Sequence, residues 1–296
     1  MQQSKIFLLI VTVVCIIISI FSSFRGNTRK LVPHSCEREH NSLKAESFST
    51  DNFCPNATCS STIICETCRQ KYIIIISMGR AGSTTLMRML DWLPGVRLSG
   101  ENLNELYVAS HMVNNVERYT HNFGAPVREG AWRHGPVTRE SLACVIQSLV
   151  LATNPPFHPG DEKAQFLGFK TIRVHTGNWT HSQAAKFFLS SFPCSKFIIN
   201  VRSNITNLVT SREKYFRRVA RNEFFRPGFE ESYYRNLYRV LGKRAYFLDM
   251  SFWKNNVSML NDAVAWLGFE SCVFSSLIHE NNGGYGRDNS TPTLLC

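Results

Sequence analysis

Acidic residues are scarce in this chain: 22 Asp and Glu stand against 33 Lys and Arg in 296 residues, leaving a formal charge of +11. An excess of that sign favours anionic partners, whether nucleic acid, anionic membrane, or sulfated or phosphorylated compounds, and does not choose among them. Internal repeats with a period of roughly 20–50 residues are absent, which excludes solenoids and propellers. Charged residues make up 19% and hydrophobic ones 44%, values that exclude a disordered tail, a coiled coil or a collagen-like chain. On a prior of about 100–200 residues per domain, the length points to one domain with an appendage.

Only one apolar run is long. Ile6 to Phe24 is nineteen residues without a charge, enough to span a bilayer. The flanking charges, Lys5 before and Arg25, Arg29 and Lys30 after, argue for a cytoplasmic C-terminal side. Five sequons (Asn56, Asn178, Asn204, Asn256 and Asn289) and nine cysteines downstream argue the opposite and outweigh them. The expectation is a type II signal anchor: residues 1–5 cytoplasmic, 6–24 transmembrane, and the remainder in an oxidising lumen. A signal peptide cleaved near Ser22 or Ser23, giving a secreted protein, is the alternative.

Residues 25–70 are polar and aperiodic and read as a luminal stem. Cys54, Cys59, Cys65 and Cys68 lie there within fifteen residues. In a secretory chain local disulfides are the expected state rather than zinc, with the pairing left open. Nine downstream cysteines leave one free or paired with another chain. The globular domain is expected over 71–296. Tyr72–Ile76 is a wholly apolar, largely β-branched run, as in a strand buried on both faces of a parallel sheet. Phe166–Val174, Phe197–Val201 and Tyr246–Met250 are read as further strands. Helical spacing recurs at Ser83–Asp91, Ser182–Phe192, Thr206–Asn222 and Val257–Leu267. Alternating strands and helices predict an α/β doubly wound parallel sheet, with ligands beyond the carboxyl ends of its strands.

The first strand runs into Gly79-Arg80-Ala81-Gly82-Ser83-Thr84-Thr85 and then into helix formers. A tight loop delivering the chain to a helix N-terminus is a site for anions, because first-turn amides and the macrodipole face the ligand. A nucleoside triphosphatase loop carries Gly-Lys-Ser/Thr. This loop has no lysine; its cation is Arg80. A strand followed by Arg-x-Gly-Ser/Thr-Thr and a helix resembles the 5′-phosphosulfate loop of membrane-bound, secretory-pathway sulfotransferases. The segment from the loop through Met-Arg-Met-Leu-Asp, Pro94-Gly95-Val96-Arg97 and Ser99-Gly100-Glu101 is similar to tyrosylprotein sulfotransferases. FIINVRSNITNLVTS, Phe197 to Ser211, resembles the family's 3′-phosphate motif, a strand ending in Arg with a Ser eight residues on. Here the eighth residue after Arg202 is Thr210, with Ser211 beside it, and the donor stays open between them.

The resemblance, spread over roughly Lys71 to Phe269, implies 3′-phosphoadenosine 5′-phosphosulfate as donor substrate, Golgi residence, and a glycan or protein hydroxyl as acceptor. It implies Glu101 as catalytic base. Arg80, Ala81, Gly82, Ser83, Thr84 and Thr85 would hold the phosphosulfate, with Arg80 also offsetting charge on the leaving group. Arg202 with Thr210 or Ser211 would hold the 3′-phosphate, and Arg287, in the late loop HENNGGYGR, would close over the nucleotide. Sulfuryl transfer needs positioning, charge stabilisation and removal of a proton, with no metal. Lys170 and Arg173 at a strand end are further candidates for the cleft, and His134 is a second candidate base.

From Arg212 to Arg244 ten basic residues face four acidic ones, either as the solvated face of one or two helices or as a funnel for anions. Luminal placement argues against nucleic acid. A homodimer stays open. Two rivals remain: a P-loop kinase, opposed by the missing lysine, with Asp249 as the nearest magnesium-binding acid, and a membrane-anchored nucleotide-binding protein without catalysis.

Overall fold

Tyr72–Ile76 forms the middle of the sheet. The computed structural model describes residues 53–54, 59, 65–100, 109–113, 115, 139–153, 164–172, 174, 179–216, 227–278 and 292–296. In it this run belongs to strand β1 (Lys71–Ser77), and Ile73, Ile74, Ile75 and Ile76 are all fully buried. Each such side chain contributes about 1.5–3 kcal/mol relative to exposure. The partners of β1 are β2 (Val96–Ser99), β3 (Phe166–Thr171), β4 (Ser195–Val201) and β5 (Ala245–Asp249), all parallel, in the order β2-β3-β1-β4-β5. A two-stranded antiparallel ribbon, β6 (Val273–Phe274) and β7 (Leu294–Leu295), lies apart from this sheet.

The helices that cover the sheet are α1 (Ser83–Leu90), α2 (Arg139–Thr153), α3 (His181–Ser191), α4 (Ile205–Phe216), α5 (Pro227–Leu241), α6 (Met250–Trp253) and α7 (Val257–Leu267). Side chains alternate along a strand, so β1 feeds two cores. Tyr72, Ile74 and Ile76 join Phe197 and Ile199 of β4 against Phe188 of α3 and Tyr234 and Leu237 of α5. Ile73 and Ile75 join Ile198 and Leu248 against Leu86 and Leu90 of α1, Trp253 of α6 and Leu260 and Val264 of α7. The sheet is therefore covered on both faces, as the apolar runs predict. The third strand stops at Thr171, short of the expected Val174, and the helix expected over 206–222 is described only as Ile205–Phe216.

The region read as a stem contributes to this core. Phe53 is fully buried, with its ring 4.8 Å from that of Phe166. Only one of the disulfides in the cysteine cluster is local, Cys59–Cys68. Cys54 is bonded to Cys194 and Cys65 to Cys144, which ties residues before the first strand to the start of β4 and to α2. Cys272–Cys296 closes the small ribbon. The sulfurs of Cys59, Cys68 and Cys194 lie within 4.8 Å of one another because two disulfides are adjacent, and in that state none is a thiolate available to a metal. The ninth downstream cysteine, Cys36, the apolar segment 6–24 and the sequons at Asn56, Asn178 and Asn289 lie outside the described residues. Among the described residues no helix is long and apolar enough to cross a membrane.

Candidate functional site

The turn after β1 is built by neighbours that take hold of its carbonyls. Arg212 of α4 donates to the Gly79 carbonyl from both Nε (3.1 Å) and Nη2 (3.0 Å). Arg202, one residue beyond β4, donates from Nη1 to the Arg80 carbonyl at 3.2 Å. Asn200 of β4 donates from Nδ2 to the Ala81 carbonyl at 2.6 Å. Three successive carbonyls are thus engaged by side chains of β4, of the residue just beyond it and of α4. Across a trans peptide the N–H points opposite to the C=O, so the Gly82 amide turns to the other side of the loop. Ala81 N–H closes the turn on the Met78 carbonyl.

That geometry strains the chain at two places. Arg80 has φ of 69°, a left-handed conformation that costs an L-residue roughly 1–2 kcal/mol. Gly82 has φ of 71°, a conformation that glycine adopts without strain, and a Cβ there would lie 2.9 Å from Met250 Sδ and displace the end of that side chain. Gly82 is also the N-cap of α1; no side chain caps the helix, and no acidic residue stands in its first turn. First-turn amides have no acceptor within their own helix, and here they open beside the loop.

Donors from three strand ends converge on this turn. Arg80 Nε donates to Ser211 Oγ of α4 at 3.3 Å, and Lys170 Nζ, at the end of β3, donates to Thr84 Oγ1 at 3.3 Å. Thr210 points elsewhere: it is exposed, and its hydroxyl donates to the Thr206 carbonyl one turn back. Between the two candidate hydroxyls, Ser211 is the one that meets the loop. Arg202 is held below the usual arginine range, first by burial and then by the charge of Arg80. An anion between two repelling guanidiniums removes that repulsion. The place is the carboxyl end of β1, with β3 on one side and β4 on the other, where open α/β sheets bind ligands.

The turn beyond Arg202 is pinned from β5. Ser203 and Ser251 both donate backbone N–H to Asp249 Oδ1 (3.1 and 2.9 Å), and Asn204 N–H donates to Ser251 Oγ at 3.0 Å. Asp249 is therefore a capping residue on a strand separated from β1 by β4, which counts against its use as the magnesium ligand of a kinase. Three of the ten basic residues between 212 and 244 have structural partners: Arg212 pairs with Glu230, Arg235 with Glu231, and Arg244 donates to the carbonyls of Phe192, Pro193 and Ser195.

Of the residues expected from the sequence, the structure brings together Arg80, Ala81, Gly82, Ser83, Thr84, Arg202 and Ser211, with Thr85 in the same first turn. Lys170 joins them. Glu101, Arg287, His134 and Arg173 lie outside the described residues. Sequence reasoning passed over Asn200, Arg212 and Glu230. A single asparagine in the apolar run Phe197–Val201 was the available signal for the first; Arg212 entered only a tally of charges.

No family model matches this chain, and no curated protein matches it. Solved structures similar to it include a sulfotransferase from Alicyclobacillus acidocaldarius, at 13% identity and TM-score 0.38, covering 67% of this chain and 81% of that one. A sulfotransferase from Mycobacterium tuberculosis H37Rv matches at 11% identity and TM-score 0.37, covering 67% of each chain. A sugar kinase from Janibacter sp. HTCC2649 matches at 14% identity and TM-score 0.32, covering 67% of this chain and 94% of that one.

Proposed function

We propose that the chain is a sulfotransferase that moves a sulfuryl group from 3′-phosphoadenosine 5′-phosphosulfate to a hydroxyl of a glycan or protein. One observation carries this reading: the lysine-free loop after β1 and the Arg202–Ser211 element after β4 meet, through Arg80 Nε on Ser211 Oγ and Arg202 Nη1 on the Arg80 carbonyl. Two anion-binding elements in one site suit a donor that carries phosphate at both ends of its ribose. The donor set fits such a group, because Arg80, Arg202, Lys170, Ser211, Thr84 and the first-turn amides all donate hydrogen bonds.

The bound donor supplies an activated sulfuryl group. Arg80, the amides of Gly82, Ser83 and Thr84, and Lys170 hold the 5′ end and offset negative charge there. Arg202 and Ser211 hold the 3′-phosphate, for which a planar guanidinium is suited. Glu101 removes the acceptor proton and Arg287 closes over the nucleotide; both roles are carried by the sequence pattern alone. The placement proposed is a Golgi-anchored luminal domain, with secretion as the alternative; the sequons and the disulfide pairing of eight cysteines favour an oxidising compartment for either.

The test is transfer of radiolabelled sulfate from the donor onto a panel of glycans, peptides and small hydroxyl compounds, alongside calorimetric binding of adenosine 3′,5′-bisphosphate. Micromolar binding with transfer to at least one acceptor class is expected. Binding without transfer would favour the inactive nucleotide-binding rival, and ATP-dependent phosphoryl transfer would replace the proposal by a kinase.

A further inference from the structure

The left-handed Arg80 does not hold itself. The carbonyl before it, that of Gly79, accepts two hydrogen bonds from one guanidinium, Nε and Nη2 of Arg212, and its own carbonyl accepts one from Arg202. Arg212 is itself gripped from behind: Nη2 meets Glu230 Oε2 at 2.7 Å and Nη1 meets Glu230 Oε1 at 3.3 Å. The side chains of this pair are 4% and 5% exposed, too deep for contact with a ligand in the loop. Arg212 directly follows Ser211, whose hydroxyl accepts from Arg80, so the same turn of α4 fixes both the backbone and the side chain of Arg80.

A buried ion pair is a weak source of net stability, since desolvating two charges offsets most of their attraction. Its fork geometry is the more informative feature. One face of the guanidinium is spent on a carboxylate and another edge on a single carbonyl oxygen, which fixes that peptide in one orientation. We propose that Arg212 and Glu230 are a positioning pair, which locks the Gly79 carbonyl and thereby holds Arg80 and the loop amides ready for the anion. The proposal takes only the identity of the ligand from the sulfotransferase reading.

Arg212→Lys separates positioning from bulk stability. The ammonium keeps a cation opposite Glu230 but cannot fork onto both the carboxylate and Gly79 O. Two probes are titrated into the full chain: inorganic pyrophosphate, which needs only the loop, and adenosine 3′,5′-bisphosphate, which needs the whole donor site. Expected is a loss of about tenfold or more in affinity for both, a matching rise in donor KM, and little movement of the thermal midpoint. A second variant, Arg212→Met with Glu230→Leu, removes the pair without leaving a lone buried charge and should show the same loss. Wild-type affinity for pyrophosphate in either folded variant would overturn the proposal. Failure of both to fold would assign the pair to stability and overturn it as well. A wild-type protein that binds pyrophosphate but not the nucleotide would refute the donor reading, and the pyrophosphate series would still decide this one.

Discussion

Replacing Asn200 tests whether the loop is held by the strand behind it. Asn200 is fully buried, and its amide is used on both atoms: Nδ2 donates to Ser77 Oγ at 3.0 Å and to Ala81 O at 2.6 Å, while Oδ1 accepts from Trp253 Nε1 at 3.0 Å. Leucine has similar volume and makes none of these bonds. Ser77 keeps a partner, because its hydroxyl also donates to the Met78 carbonyl. Ala81 O and the indole N–H of Trp253 lose theirs. A buried polar group left unpaired costs about 1–3 kcal/mol, so the two together cost about 2–6, and about 1 kcal/mol of added apolar burial leaves about 1–5 kcal/mol. Urea unfolding followed by far-UV circular dichroism under non-reducing conditions measures it. Trp253→Phe supplies the control: alone it strips Asn200 Oδ1 of its donor, whereas beside Asn200→Leu it removes an N–H that is already stranded. The double variant should therefore be more stable than the sum of the singles predicts, by about 1–3 kcal/mol. A loss below about 1 kcal/mol for Asn200→Leu, or strict additivity, would refute this account of the loop.

Glu101→Gln keeps size and removes the carboxylate proposed as base, so turnover should fall about 10²–10⁴-fold while adenosine 3′,5′-bisphosphate still binds; near-normal turnover would move the base elsewhere, with His134 first in line. Arg80→Ala and Arg202→Ala should instead weaken that binding by about 10–100-fold, as calorimetry would register, since each removes a charged donor. Lys196, caged by the rings of Phe53 and Trp266 and donating to the Trp266 carbonyl, is lowered from 10.5 to about 8 by burial, against an opposing pull from Glu270. The unfolded chain then binds more protons between those values, so this lysine's contribution to stability rises with pH from about 8 toward 10. Comparison with Lys196→Met in urea titrations across that window checks the sign. Asn204 should carry no glycan in active protein: its Oδ1 caps α4 by accepting from Asn207 N–H at 2.9 Å, and it lies two residues beyond Arg202. Glycopeptide mapping that finds Asn204 occupied in fully active protein would place the donor elsewhere.

What the sequence discloses depends on how local the cause is. Strand β1 and the loop are legible because a buried parallel strand has no polar face and the glycines punctuate its end. Helix α7 is legible to the residue, Val257–Leu267, because Asn256 caps its start, accepting from Ser258 N–H, and Gly268 ends it at φ of 101°. Strand β2, four residues with two of them half-exposed, gives too short a pattern to separate from a loop. The choice of Ser211 over Thr210 also lies beyond spacing: it depends on which face of α4 turns to Arg80, and that face is set by Arg212 reaching Gly79 and Glu230. Cysteine pairing is non-local in the same sense, since Cys54 and Cys194 are 140 residues apart and meet where Phe53 packs into the core beside the sheet.

The absence of a lysine in the loop is compensated by the order of the strands. An anion at the end of β1 needs positive charge and must not meet backbone carbonyls. The loop itself brings one cation, Arg80, in a strained backbone conformation. Because β3 and β4 flank β1, residues at their carboxyl ends reach the loop from both sides: Lys170 touches Thr84 from one, and Arg202 touches the Arg80 carbonyl from the other. Strand β4 supplies Asn200, the residue just after it is Arg202, and the following helix supplies Arg212, so one β4–α4 unit adds charge while masking all three carbonyls. Two arginines that repel each other and share partial burial make the site poorer without its ligand than with it. Binding an anion there would relieve that repulsion, and would tie its recognition to the stability of the loop.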